Sequence, residues 1–205
     1  WSFQGRYRTL HLTWIAFFLT FVVWFNLAPL ATTVKADLGL TVGQIRTVAI
    51  CNVALTIPAR VLIGMLLDKF GPRITYSSIL VFSAIPCLLF ASAQDFNQLV
   101  VARLLLSIVG AGFVIGIRMV AEWFPPKEIG LAEGIYGGWG NFGSAFSALT
   151  MVALAGFLSF SGGFELPTGA VLNWRGAIAL TGIVSAVYGL FYFFNVTDTP
   201  PGKTY

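Results

Sequence analysis

Residues 56–64, TIPARVLIG, set an arginine inside a run that is otherwise apolar. A guanidinium keeps its proton in proteins. At the centre of a membrane helix it costs about 2.5–3.5 kcal/mol on insertion scales. Asp68 marks the polar end of the same run, which puts Arg60 ~12 Å deep at 1.5 Å per residue. No acid stands one helical turn away on either side, and no other apolar run supplies one at that depth. Backbone carbonyls or an acid on a neighbouring helix would be the ordinary partners. A cation at mid-depth that faces a cavity is instead a site for an anion.

A second group of residues falls at the same level. Residues 130–146, GLAEGIYGGWGNFGSAF, contain Gly130, Gly134, Gly137, Gly138, Gly140 and Gly143. In water so many glycines would weaken a helix by about 0.8–1.0 kcal/mol each relative to alanine. In lipid they let a neighbouring helix or a ligand come against bare backbone. Gly134 and Gly138 make one GxxxG step, whose default meaning is packing. Asn141 lies ~16 Å along the helix from Gly130, level with Arg60. An amide donor and a guanidinium at one depth suit a small oxyanion.

Two further arginines fall within apolar runs. Arg118 precedes Glu122 by four residues, and an i,i+4 ion pair with snorkelling accounts for it. Arg103 sits near the start of its run, ~8 Å in, within reach of the outer headgroups, and reads as a structural or coupling residue. His11 stands alone at the edge of the first run and reads as interfacial. No Ser/His/Asp, metal-ligand or phosphate-loop constellation occurs, so the residues do not describe an enzyme, and no cofactor is expected.

The elements that must position these groups are membrane helices. The 205 residues are 57% hydrophobic and only 10% charged, against roughly 25% charged in soluble domains, and the mean hydropathy is +0.84. The net charge of +4 is too small and dispersed for nucleic-acid binding. Cys51 and Cys87 fall within apolar runs and read as small buried side chains without a disulfide. The chain begins WSFQGRYR, without Met, and its first apolar run, about 20 residues without a small-residue cleavage site, does not read as a cleavable signal peptide.

Six runs are long enough to cross a ~30 Å hydrocarbon core. They lie near 10–32, 44–67, 74–93, 98–121, 131–160 and 174–196, and predict an all-α, polytopic six-helix bundle over residues 1–205. Between the last two, SGGFELPTGAVLN reads as a water-exposed loop. With the N-terminus in the cytoplasm, Arg6, Arg8, Lys69, Arg73, Lys127 and Lys203 lie inside. Lys35, Arg46 and Arg175 then lie outside, which orients both ends inward.

The connection GMLLDKFGPR resembles the G-x-L-x-D-[RK]-x-G-x-[RK] loop of the major facilitator superfamily, with Gly64, Asp68, Lys69, Gly71 and Arg73 in register. RLLLSIVGAG resembles that family's arginine-led motif at Arg103, with Ser107 where glycine is usual. GGWGNFG, with the arginine of the second span, resembles the signature of the nitrate/nitrite porters, and the surrounding wording is most similar to the cyanobacterial type. The resemblance covers essentially the whole chain and implies an inner-membrane secondary transporter of nitrate and nitrite. It implies that Arg60 holds the anion, that Asn141, Gly140 and Gly143 line its path, and that Phe25 and Phe113 wall it.

The same resemblance implies a conformational latch of Gly64, Asp68, Lys69, Gly71, Arg73, Arg103 and Glu122, with Asp68 bridged to Arg73 and Glu122 in reach. The superfamily fold has two six-helix halves. The chain is therefore expected to be the N-terminal half, with the C-terminal half absent. Its partners would be the anion, protons as a candidate coupling ion, the bilayer and that second half. A porter of another small or organic anion, or a non-transporting six-helix remnant, are the alternatives.

Overall fold

Helix α1, Gly5–Phe25, forms from a run with no glycine or proline after its first residue. It passes through a 3-10 turn at Ala28–Leu30, set by Pro29, into the short α2, Ala31–Asp37. The computed structural model describes residues 4–202, so Lys203, used above for orientation, lies outside the described residues. Helix α3, Val42–Ala54, starts at a capping box. Thr41 Oγ1 accepts the Gln44 N–H at 3.2 Å, and Gln44 Oε1 accepts the Thr41 N–H at 2.9 Å, each satisfying an orphan donor.

Helices α4, Thr56–Phe82, and α5, Ala84–Ser92, continue with barely a break. Asp95 caps α6, Phe96–Leu106, which runs through a 3-10 turn at Ser107–Ala111 into α7, Gly112–Trp123. Helix α8 spans Ile129–Phe157, and Asn173 caps α9, Trp174–Asn195. Between them the expected loop holds a two-stranded hairpin, β1 (Phe164–Glu165) paired antiparallel with β2 (Val171–Leu172).

Five helical stretches are long and apolar enough to cross a membrane: Gly5–Asp37, Val42–Ser92, Phe96–Trp123, Ile129–Ser161 and Trp174–Asn195. The count differs from the six anticipated because the second and third runs join in one stretch of 51 residues. Gly71 interrupts that stretch with φ 79° and ψ 164°, a conformation open essentially to glycine alone. Pro72 follows it without an N–H to continue the ladder.

Helix α1 is the centrepiece: it lies along α8 and also packs on α7 and α9. The close approach to α8 depends on glycine. A Cβ on Gly140 would overlap the Phe17 ring, and one on Gly143 would strike the backbone of Phe18. Two apolar clusters fill the bundle. One surrounds Phe17, Tyr76, Tyr136 and Tyr192, and the other Phe90, Leu106 and Trp174. The outside is apolar as well, with Leu131 74%, Leu149 76% and Phe194 77% exposed. Such a surface is costly in water, at about 25 cal/mol per Å², and stable in hydrocarbon. Cys51 and Cys87 are both buried.

Candidate functional site

Arg60 sits on α4, whose buried stripe is Thr56, Ala59, Ile63 and Leu67. It stands off that stripe, exposed, beside the exposed Ile57, Val61 and Leu62. Its guanidinium makes no hydrogen bond or ion pair among the described residues. Neither ordinary partner, a carbonyl nor a neighbouring acid, reaches it. An uncompensated fork of donors on an apolar helix face is chemically equipped for a planar oxyanion.

Asn141 is also exposed, on α8. Its Nδ2 donates to the Gly137 carbonyl at 2.7 Å. An amide nitrogen has two hydrogens, so one N–H remains for a ligand. Helices α4 and α8 meet at the hydroxyls of Tyr76 and Tyr136, 3.2 Å apart, and α1 lies against both helices. Arg60 and Asn141 share no hydrogen bond; they stand on separate helices, each against α1.

The other expected lining residues fall differently. Gly140 and Gly143 are buried beneath Phe17 and Phe18, so α1 occupies the space in which a ligand was expected to approach. Their glycine content serves helix packing in this structure. Gly130, Gly134, Gly137 and Gly138 have open space beside them, and all but Gly137 line a groove with Leu131, Ile135, Trp139 and Phe142 of about 630 Å³. Phe113 is half-buried and stacked on Tyr136, centroids 6.2 Å apart, in a block completed by Phe17. Phe25 is partly buried beside Phe21 and Trp24.

Tyr136 went unnoticed in the sequence reading. Its hydroxyl donates to the Phe113 carbonyl at 3.0 Å and lies 3.2 Å from that of Tyr76. Gly116 makes room for its ring. A tyrosine among glycines was the available signal.

Arg103 corrects another expectation. It is 0% exposed and cannot reach headgroups. Its Nη2 donates to Asn26 Oδ1 at 2.8 Å and its Nη1 to Asn52 Oδ1 at 3.2 Å, while the guanidinium lies over the Phe90 ring at 4.4 Å. Asn26 passes the network to Thr181 at 2.9 Å. One buried cation thus joins α3, α6, α9 and the segment after α1, held by two amide oxygens and a ring face. His11 is likewise buried rather than interfacial, its Nδ1 accepting the Trp14 indole N–H at 3.0 Å. Arg118 and Glu122 form the anticipated i,i+4 pair at 3.0 Å.

The expected bridge from Asp68 to Arg73 is not formed. Asp68 and Lys69 are exposed, and Gly64 has open space beside it. The Arg73 backbone N–H donates to Asp198 Oδ1 at 2.7 Å, and its Nε donates to the Phe193 carbonyl at 2.7 Å. The guanidinium also covers the Phe193 ring at 4.2 Å. Arg73 is turned toward the end of α9, and Glu122 stays with Arg118. The acid that holds this corner is Asp198, in the segment that follows α9.

Comparison with known proteins is consistent with these elements. Residues 13–204 match the family model described as Major Facilitator Superfamily. The chain is 64% identical over 219 residues to "Nitrate/nitrite transporter NrtP" of Picosynechococcus sp., covering 100% of this chain and 41% of that protein. It is 61% identical to the protein of the same name in Nostoc punctiforme, covering 100% and 40% respectively. A more distant relative, "High affinity nitrate transporter 2.7" of Arabidopsis thaliana, is 31% identical, covering 96% and 38%. The chain thus spans about two fifths of the length of the curated relatives it matches. Among solved structures, a bacterial homologue of the human lysosomal transporter Spinster, inward-facing and occupied, shares the fold with a TM-score of 0.76 at 21% identity, over 98% of this chain and 46% of that one.

Proposed function

We propose that this chain, which belongs to the major facilitator superfamily and is a membrane protein, forms the N-terminal half of a nitrate/nitrite transporter working by alternating access. The observation that carries the reading is Arg60: an exposed cation on an apolar helix face, with no partner among the described residues. Nitrate is planar with three acceptor oxygens, and guanidinium offers two parallel N–H donors in one plane. The names of the relatives at 61–64% identity support the same anion.

Six crossings follow if Gly71–Pro72 is the hairpin between two spans. A straight helix over the 51 residues of that stretch would be ~76 Å long, more than twice the ~30 Å core. The excess of basic residues then orients both ends of the bundle toward the cytoplasm, in a bacterial inner membrane. Arg60 on α4 and Asn141 on α8 would face the anion from two sides of α1, and a second six-helix half would close the cavity opposite. The superfamily motif around Asp68, exposed at the end of its span, would meet that half. The protein acts as a carrier, not as an enzyme.

Nitrate uptake by the full-length protein, expressed in a bacterial strain lacking its own nitrate carriers, tests the reading. Saturable uptake that nitrite inhibits competitively and that Arg60 variants lose is the expected result. Uptake of a different small or organic anion in preference to both would replace nitrate as the substrate. Failure of the full-length protein to move any anion would overturn the transporter reading.

A further inference from the structure

Glu133 lies near the start of α8, the helix that carries Asn141. Its side chain is partly buried, and its Oε1 is enclosed with no hydrogen-bond partner. None of the ion pairs among the described residues includes it.

The charged and titratable groups of the elements packed around α8 are engaged elsewhere. On α1, Arg6 binds Glu128 at 2.8 Å, Arg8 donates to Asn195 Oδ1 at 2.9 Å, Tyr7 lies edge-on to Phe124, and His11 accepts from Trp14. On α7, Arg118 and Glu122 hold each other. On α9, Tyr188 donates to the Leu12 carbonyl, Tyr192 shares a hydrogen bond with Thr13, and Arg175 bonds at the far end with Ala91 and Ala93. On α8 itself Tyr136 donates to Phe113.

An ionised carboxylate oxygen enclosed in this way has neither cation nor donor to offset its desolvation, a cost that a carboxylic acid does not carry. Ionisable side chains within membrane helices mark ion and proton pathways. A half-buried acid with one oxygen enclosed and unpartnered therefore has two stable conditions: protonated while the start of α8 is closed over it, and ionised when water reaches that oxygen. We propose that Glu133 is the proton-binding site of the transport cycle. Its carboxylate takes up H⁺ before or during enclosure, forming one O–H bond, and gives the same proton to water when that end opens. The proposal rests on reading the chain as part of an anion porter. A proton that travels inward with a monovalent anion makes the loaded step electrically neutral. Glu133 and Asn141 are ~12 Å apart along one helix, so a movement of α8 acts on both sites.

The full-length protein in proteoliposomes provides the test, with nitrate accumulation under an imposed pH gradient set against nitrate counterflow at equal pH. At one proton per anion, a gradient of about one pH unit drives a tenfold accumulation. Glu133→Gln, which mimics the protonated form, should abolish that accumulation and preserve counterflow, and Glu133→Asp should restore part of it. Accumulation that survives in the Gln variant overturns the proposal, as does loss of counterflow in step with accumulation. A readout without nitrate separates this proposal from the substrate assignment. Infrared difference spectra across neutral pH should show a carboxylic-acid band in the wild type that is missing in Glu133→Gln. If that band titrates but nitrate is not carried, the nitrate reading fails and the proton site stands; a spectrum unchanged by the substitution removes the proton site alone.

Discussion

The backbone N–H of Arg73 and the carboxylate of Asp198 meet at 2.7 Å, fastening the bend after Gly71 to the segment that follows α9. The same carboxylate fills the space beside Gly71, where a Cβ would lie 2.7 Å from Asp198 Oδ1. Asp198→Ala leaves the part-buried Arg73 N–H without its acceptor, a loss of about 1 kcal/mol. Gly71→Ala adds backbone strain of about 1–3 kcal/mol to the collision. Both variants are expected to lower the midpoint of thermal unfolding in detergent, Gly71→Ala more. An Asp68→Ala control should leave the midpoint unchanged; a fall equal to that of Asp198→Ala would mean that Asp68 holds the bend after all.

Arg60→Lys should reduce nitrate uptake by the full-length protein strongly although the charge is kept, because an ammonium lacks the planar pair of donors. Arg60→Ala should abolish it. Each lost charge-assisted hydrogen bond is worth about 1.5–3 kcal/mol, or roughly ten- to a hundredfold in affinity. Near-normal uptake by a well-expressed Arg60→Ala protein would remove Arg60 from the site.

Asn141→Ala should weaken nitrate binding by a smaller margin, because a neutral donor contributes about 0.5–1.5 kcal/mol. The spare N–H is exposed, so folding should be unaffected. Competition binding in purified protein measures the shift, and an unchanged affinity would place the fifth span outside the site.

Gly140→Leu is expected to abolish folded protein rather than to plug a path, because the added carbon falls on the Phe17 ring. Gly134→Ala has nothing within 4 Å of its new methyl and should fold normally. Monodispersity on size exclusion separates the two outcomes. A Gly140→Leu protein that is monodisperse but does not transport would return Gly140 to the anion's route.

Arg103→Met keeps the stem of the side chain but leaves the Asn26 and Asn52 amide oxygens without their guanidinium donors. The expected loss is about 1–3 kcal/mol for each oxygen left unsatisfied, read as a lower unfolding temperature in the absence of nitrate. Stability equal to wild type would show that the buried arginine acts only during transport.

Some of this was legible in the linear chain. Apolar run length is a local property, so the helical, membrane-spanning character of the chain could be read from it, although α1 begins at Gly5 rather than near residue 10. The i,i+4 pair of Arg118 and Glu122 is local in the same sense. An arginine surrounded by apolar residues stands out because its cost is intrinsic to the residue, and that singled out Arg60.

What the sequence determined by itself is which residues are costly where they stand: Arg60, Arg103 and the glycines of α8 in an apolar chain. What offsets each cost was decided by tertiary structure, since the partners lie far away along the chain. Asn26 and Asn52 hold Arg103 across 77 and 51 residues, and Asp198 meets Arg73 across 125. Phe17 and Phe18 claim Gly140 and Gly143, whereas Gly134 stays open although its sequence context is alike. Rotation about a helix axis turns a residue from a neighbour to open space within one or two positions, and only packing sets that rotation. The same rotation leaves Arg60 outside the buried stripe of α4 and encloses an oxygen of Glu133 on α8.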